Sequence, residues 1–139
     1  MKNPFTIGDA KWYSTQVTED KLARFDSGLV HSVYSTFALG KDAEWACRLF
    51  VLEMLEPGEE GVGSFLSIRH LSPAPLGAKV RHKATLLSVK ENVILCKFEV
   101  FAEQVKVAEG EQEQRIVNKA RFDQLIQGIA KQINGRDIN

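Results

Sequence analysis

Thr36-Phe37-Ala38-Leu39-Gly40-Lys41-Asp42-Ala43-Glu44-Trp45-Ala46-Cys47-Arg48-Leu49-Phe50-Val51-Leu52-Glu53-Met54-Leu55 is the stretch that decides the architecture. Ala43, Ala46, Cys47, Phe50, Val51 and Met54 recur at three- and four-residue spacing, the period of one helix face. Leu49, Leu52 and Leu55 widen that stripe until the segment is apolar nearly all round. A helix from Thr36 or Leu39 to Leu55 follows, buried rather than lying on a surface, and stopped by Pro57-Gly58.

Working outward, four strand-like segments follow the helix: Val62 to Leu71, Ala78 to Val89, Val93 to Phe101 and Val105 to Val117. In the third, Ile94, Cys96, Phe98 and Val100 alternate with Leu95, Lys97 and Glu99 behind a tight Glu91-Asn92 turn. The fourth is more polar, as an exposed face or edge would be. Upstream, Lys11 to Val17 reads as a first strand and Thr18 to Phe25 as a short helix with Thr18 as its N-cap. At the other end, Phe122, Leu125, Ile126, Ile129 and Ile133 mark an amphipathic helix docked by one face, with Asn118 as its cap. Gly135 to Asn139 reads as a frayed tail. The expectation is one domain over residues 1–139.

Consecutive strands joined by short turns make an antiparallel sheet. A helix apolar on most sides needs cover on more than one, and a single curved sheet wrapped around it supplies that cover. Part of the helix and one sheet edge are left in need of a partner. This is the hotdog arrangement, of class α+β, and it implies a symmetric homodimer.

Composition narrows the function classes. The chain has 139 residues, and its 18 basic side chains are balanced by 18 acidic ones. Without a basic excess it does not read as a nucleic-acid binder. The N-terminus lacks the apolar run of a signal peptide, and no stretch approaches the ~20 apolar residues of a membrane span. The expectation is a cytoplasmic protein that needs neither nucleic acid nor membrane as partner. Cys47 and Cys96 match no metal or redox spacing and read as buried thiols. No metal or cofactor is expected.

Thr36, Gly40 and Glu44 stand four residues apart, so a continuous helix puts them on one face. Gly40 costs such a helix about 1 kcal/mol relative to Ala, which makes sense where something needs close access to the backbone. Eight residues of helix separate Thr36 from Glu44 by roughly 12 Å. Either Thr36 precedes the first turn, or the two groups flank a ligand from opposite ends. Glu44 is a carboxylate in the most apolar helix of the chain; it either pairs with Lys41 or Arg48 or is desolvated and suited to general-base work. Among the three histidines, His82 lies between Arg81 and Lys83 and reads as solvated, and His31 as a loop residue. His70 shares strand parity with Leu66 and Ile68 and reads equally as a core or a catalytic residue.

Ser35-Thr36, Glu44-Trp45-Ala46-Cys47, Leu55-Glu56-Pro57-Gly58-Glu59, Gly63, His70 and the Pro75–Gly77 pair together resemble the fluoroacetyl-CoA-type thioesterase branch of the hotdog superfamily. The resemblance runs from about Tyr34 to Phe122. It implies that Thr36, Glu44 and His70 form a catalytic set, that Gly63 lies near the acyl-CoA, and that the substrate is an acyl-CoA thioester. The Gly40 end of the helix would face the thioester carbonyl. One departure stands out. The family tends to carry Gly-x-His-x-Arg in the last strand, and this chain has Gly110-Glu111-Gln112-Glu113-Gln114, with Arg115 one residue late and on the other strand face. The leading expectation is hydrolysis of a small or medium acyl-CoA. The alternative is a non-catalytic binder of acyl-CoA or a lipid-like ligand on the same fold.

Overall fold

The computed structural model describes residues 1–138, with side chains described through residue 135. The elements are β1 (Ala10–Gln16), β2 (Leu22–Phe25), β3 (Gly28–Tyr34), α1 (Thr36–Leu52), β4 (Glu59–His70), β5 (Lys79–Lys90), β6 (Val93–Ala102), β7 (Val105–Asn118) and α2 (Lys119–Ile138). Five strands form one antiparallel sheet in the order β1-β5-β6-β7-β4, and β2 and β3 form a separate hairpin.

Helix α1 lies on this sheet and packs against β1, β4, β5, β6 and β7. Leu39, Ala43, Ala46, Cys47, Phe50 and Val51 are fully buried against Val80, Ala84, Leu86, Ile94, Cys96, Phe98 and Val100. This is the expected hotdog arrangement, and the β6 alternation holds. As expected, the sheet leaves part of the helix uncovered: Phe37, Trp45 and Leu52 stay exposed on the side away from it. Cys47 and Cys96 are free, buried and in contact, and that contact, with burial second, pushes the Cys47 thiol up.

Several expectations need correction, among them His31, which lies in strand β3 opposite Ala23 rather than in a loop. Thr18 to Phe25 is no helix: a single turn at Glu19–Lys21 leads into β2, which pairs with β3 across the Asp26-Ser27-Gly28 turn. Gly28 has φ 110, a conformation that only glycine adopts freely. Strand β7 is not an edge; it lies between β6 and β4, and its Gln112 and Gln114 are buried. Helix α2 is capped by Asn118 as expected, its Oδ1 accepting from Arg121 N–H at 3.0 Å. It does not dock, however, and Leu125, Ile126, Ile129 and Ile133 are exposed. It remains helical past Gly135 to Ile138, and Asn139 lies outside the described residues.

A further correction is His82, which is fully buried. Its ring meets the Tyr34 hydroxyl at 3.1 Å, and that hydroxyl donates to Asp42 Oδ2 at 2.5 Å. Lys21 Nζ donates to the same Asp42 oxygen at 2.9 Å. Because the one Tyr34 proton is spent on Asp42, His82 must donate through Nε2. Its Nδ1 is then an acceptor without a partner among the described residues. This polar cluster pins the hairpin and α1 to β5.

Burial holds His82 at a pKa of about 4, against 6.5 for an unperturbed imidazole; Asp42 raises it only in part. Between those values the unfolded chain binds a proton that the folded chain refuses. Stability therefore falls as the pH drops from about 6.5 toward about 4, by up to roughly 3 kcal/mol. Melting temperatures of wild type and His82→Gln across this window check it. The wild-type curve should fall more steeply toward acid than the variant's, and parallel curves would show that His82 does not carry the effect.

Candidate active site

Ser35 and Thr36 divide two tasks at the start of α1. Ser35 is the N-cap, and its Oγ accepts from Ala38 N–H at 3.0 Å. Thr36 is thereby released from capping, and its Oγ1 lies 3.1 Å from His70 Nδ1. His70 closes β4, and its Nε2 is buried without a partner among the described residues. A buried ring nitrogen with no partner is rare in a folded protein and leaves a polar group able to hydrogen-bond a ligand.

Two turns further along α1, the exposed Glu44 carboxylate sits against β4 and β7. Its Oε1 accepts from Gln112 Nε2 at 3.1 Å. It forms no pair with Arg48, which donates instead to the Gly61 carbonyl at 2.9 Å and to Glu60 Oε1 at 2.7 Å. Gly63 lies directly beneath Glu44: a Cβ there would stand 2.7 Å from Glu44 Oε1.

Thr36 and Glu44 line one groove of about 400 Å³ together with Phe37, Gly40, Lys41, Leu66 and Ile68. Of the two arrangements open from spacing alone, the chain adopts the second, with the groups at opposite ends of a cleft. Gly40 keeps the cleft open, since a Cβ would lie 2.8 Å from Ile68 Cδ1 and 3.3 Å from Leu66 Cδ2. As the fifth residue of α1, Gly40 has its own N–H in the helical ladder and contributes space rather than a free donor. A neighbouring cavity of about 520 Å³ on the flank of α1 shares Phe37, Lys41 and Glu44 and is bounded by Tyr13, Lys21 and Trp45.

The site thus brings together Thr36 with His70, and Glu44 with Gly63; Thr36 and Glu44 share the Gly40 groove, while His70 borders a separate cavity with Val33, Leu71, Ser72 and Pro73. Sequence reasoning missed the two glutamines as partners of α1. Their parity was the available signal, since Ala108, Gln112, Gln114 and Ile116 share one strand face and are all buried. Arg115 lies on the opposite, exposed face, 3.7 Å from Glu113. Among the described residues no group of His, Cys, Asp and Glu is placed to hold a metal ion, and no helix is long and apolar enough to cross a membrane.

Comparison with known proteins bears on the family and the fold. Residues 17–120 match the family model described as fluoroacetyl-CoA-specific thioesterase. A hypothetical protein of Thermus thermophilus, described as a thioesterase superfamily member, superposes with a TM-score of 0.90 at 33% identity, covering 95% of this chain and 98% of its own. The fluoroacetyl-CoA thioesterase FlK superposes at 0.84 with 20% identity, over 91% and 98% of the two chains. A hot-dog-like protein from Thermanaerovibrio acidaminovorans gives 0.82 at 21% identity, over 89% and 92%. No curated protein sequence matches significantly. With a family model spanning most of its length and a close likeness to a thioesterase superfamily member, the chain belongs to the fluoroacetyl-CoA-specific thioesterase family of hotdog-fold proteins, whose general chemistry is acyl-CoA thioester hydrolysis.

Proposed function

We propose that the protein hydrolyses the thioester of a small or medium acyl-CoA, as a cytoplasmic homodimer, with Thr36, Glu44 and His70 as its catalytic set. The observation that carries this reading is the groove lined by Gly40, with Thr36 at one end and Glu44 at the other, and with His70 reaching it only through its contact with Thr36. Related chemistry supports the substrate class: one variant of FlK has been crystallised with fluoroacetate and CoA, and another with acetyl-CoA. Nothing in this groove singles out a fluorinated acyl group.

In this reading Glu44 takes a proton from water as the water oxygen bonds to the acyl carbon, or attacks that carbon itself and is later freed by water. Either way the carbon–sulfur bond breaks, the thiolate takes a proton delivered through His70, and free acid and CoA leave. Thr36 sets the His70 ring through its 3.1 Å contact. N–H groups in the first turn of α1 are the donors for the developing oxyanion. Gly63 leaves room for the Glu44 carboxylate to lie against the sheet.

The homodimer reading rests on what one chain leaves uncovered. Phe37 is 86% exposed, Trp45 and Leu52 follow it on α1, and β4 is a free sheet edge bearing exposed Phe65 and Leu66. Edge-to-edge pairing of two such strands would cover both features. Sedimentation equilibrium should return twice the chain mass, and a single-chain mass would reject the dimer. The unlinked Cys47 and Cys96 thiols fit a reducing compartment.

Thiol release from acetyl-, butyryl-, octanoyl- and palmitoyl-CoA tests the activity directly. Wild type should release CoA from at least one of the shorter esters, and Glu44→Gln should lower kcat by ~100-fold or more with folding intact. Tight binding of the esters without release would favour the ligand-binding alternative. Gly63→Ala gives a second check, because its Cβ meets only the end of a flexible side chain. The melt should stay cooperative while kcat drops about tenfold to a hundredfold as the carboxylate is pushed aside; unchanged turnover would remove Gly63 from the site.

A further inference from the structure

Glu44 and Arg48 are spaced one turn apart on α1, where a direct ion pair is the ordinary outcome. Two buried glutamines stand in its place. Gln112 Nε2 donates to Glu44 Oε1 at 3.1 Å and to the Glu113 carbonyl at 3.1 Å. Gln112 Oε1 accepts from Gln114 Nε2 at 3.0 Å. Gln114 Oε1 in turn accepts from Arg48 Nη1 at 3.4 Å. Both glutamines are 1% exposed, and burying two amides is costly unless their groups are paired.

The chain of bonds has a direction. The Gln112 nitrogen faces two acceptors, so turning that amide over would set oxygen against oxygen on both sides. Its oxygen then requires a donor, which Gln114 supplies, and the Gln114 oxygen faces a guanidinium. Arg48 fixes Gln114, Gln114 fixes Gln112, and Gln112 fixes the carboxylate. Two glycines of β4 make the room. At Gly61 a Cβ would stand 2.6 Å from Val51 Cγ1 and 3.1 Å from Arg48 Nη1, and at Gly63 it would meet Glu44.

We propose that Gln112 is a positioning residue for thioester hydrolysis, holding the Glu44 carboxylate in the groove, and that Gln114 and Arg48 lock Gln112 in the orientation this needs. The proposal rests on the catalytic role given to Glu44 above. A neutral amide holds a carboxylate in place without setting a full positive charge against it, as a direct Arg48 pair would. The Arg48 guanidinium is engaged by Glu60 and the Gly61 carbonyl, and the carboxylate is left facing the groove.

The test compares Gln112→Met, Gln112→Glu, Glu44→Gln and Arg115→Gln with wild type, using thiol release from whichever of the four acyl-CoAs above wild type turns over fastest. Gln112→Met keeps the shape and loses the donor. It should lower kcat about tenfold to a hundredfold with KM within about twofold, while exposed Arg115→Gln stays at the wild-type rate. Gln112→Glu places two carboxyls together, and only the protonated one can donate. Its activity should survive toward acid and fall as the pair loses its second proton, an alkaline limb absent from wild type. A purely structural role would lower the rate evenly across pH.

Wild-type kcat in Gln112→Met, or a Gln112→Glu profile parallel to the wild-type one, would overturn the proposal. Should Gln112→Met fail to fold, the Gln112→Glu profile decides alone. If wild type turns over and Glu44→Gln does not, an active Gln112→Met removes the relay but leaves the function standing. If wild type releases no thiol from any ester, both fall together.

Discussion

The seating of α1 on the five-stranded sheet governs where everything else in this molecule goes. Leu39, Ala43, Ala46, Cys47, Phe50 and Val51 form the buried side, so rotation about the helix axis is not available without exposing them. Once that side is fixed, Thr36, Gly40 and Glu44 must face the groove bordered by Leu66 and Ile68 of β4. Asp42 must point the other way, toward Lys21 and Tyr34. Two carboxylates only two residues apart thus end in opposite circumstances. One is buried and paired with a lysine and a tyrosine. The other is open to the cleft and held by an amide.

That sidedness was legible in the chain, because a 3.6-residue period is a local property and survives without knowledge of partners. The same holds for the β6 alternation and for the grouping of Thr36, Gly40 and Glu44. What failed to show were features set by non-local register. Leu66 stands opposite Gln112 and Gly63 opposite Gln114 across β4 and β7, which brings residues far apart in sequence to the same carboxylate. His82 was misread for a different reason. Its neighbours Arg81 and Lys83 suggested water, but strand parity links it to the buried Val80, Ala84 and Leu86. Polarity of adjacent residues says nothing about a strand side chain, since adjacent residues face opposite ways.

Helix α2 illustrates a further limit. Its apolar period announced a face that wants cover, and the face is there, but a period cannot say which surface supplies the cover. The Ser35–Thr36 pair illustrates the reverse. Two neighbouring hydroxyls look interchangeable in sequence, and the first turn of α1 separates them into a cap and a partner for His70.

The order in which the sheet is strung has a kinetic consequence. Strands β5, β6 and β7 follow one another through tight turns at Glu91 and Glu103, both at positive φ, and can assemble from neighbours in sequence. Both edges, β1 and β4, come from earlier in the chain and join only by closing long loops, the slower kind of step. The early meander carries the two amides. The carboxylate and the hydroxyl arrive with α1, and the imidazole with the edge strand β4. A half-folded chain therefore holds no half-built catalyst, and the return of catalysis during refolding is tied to the closing of a long loop rather than to the local meander.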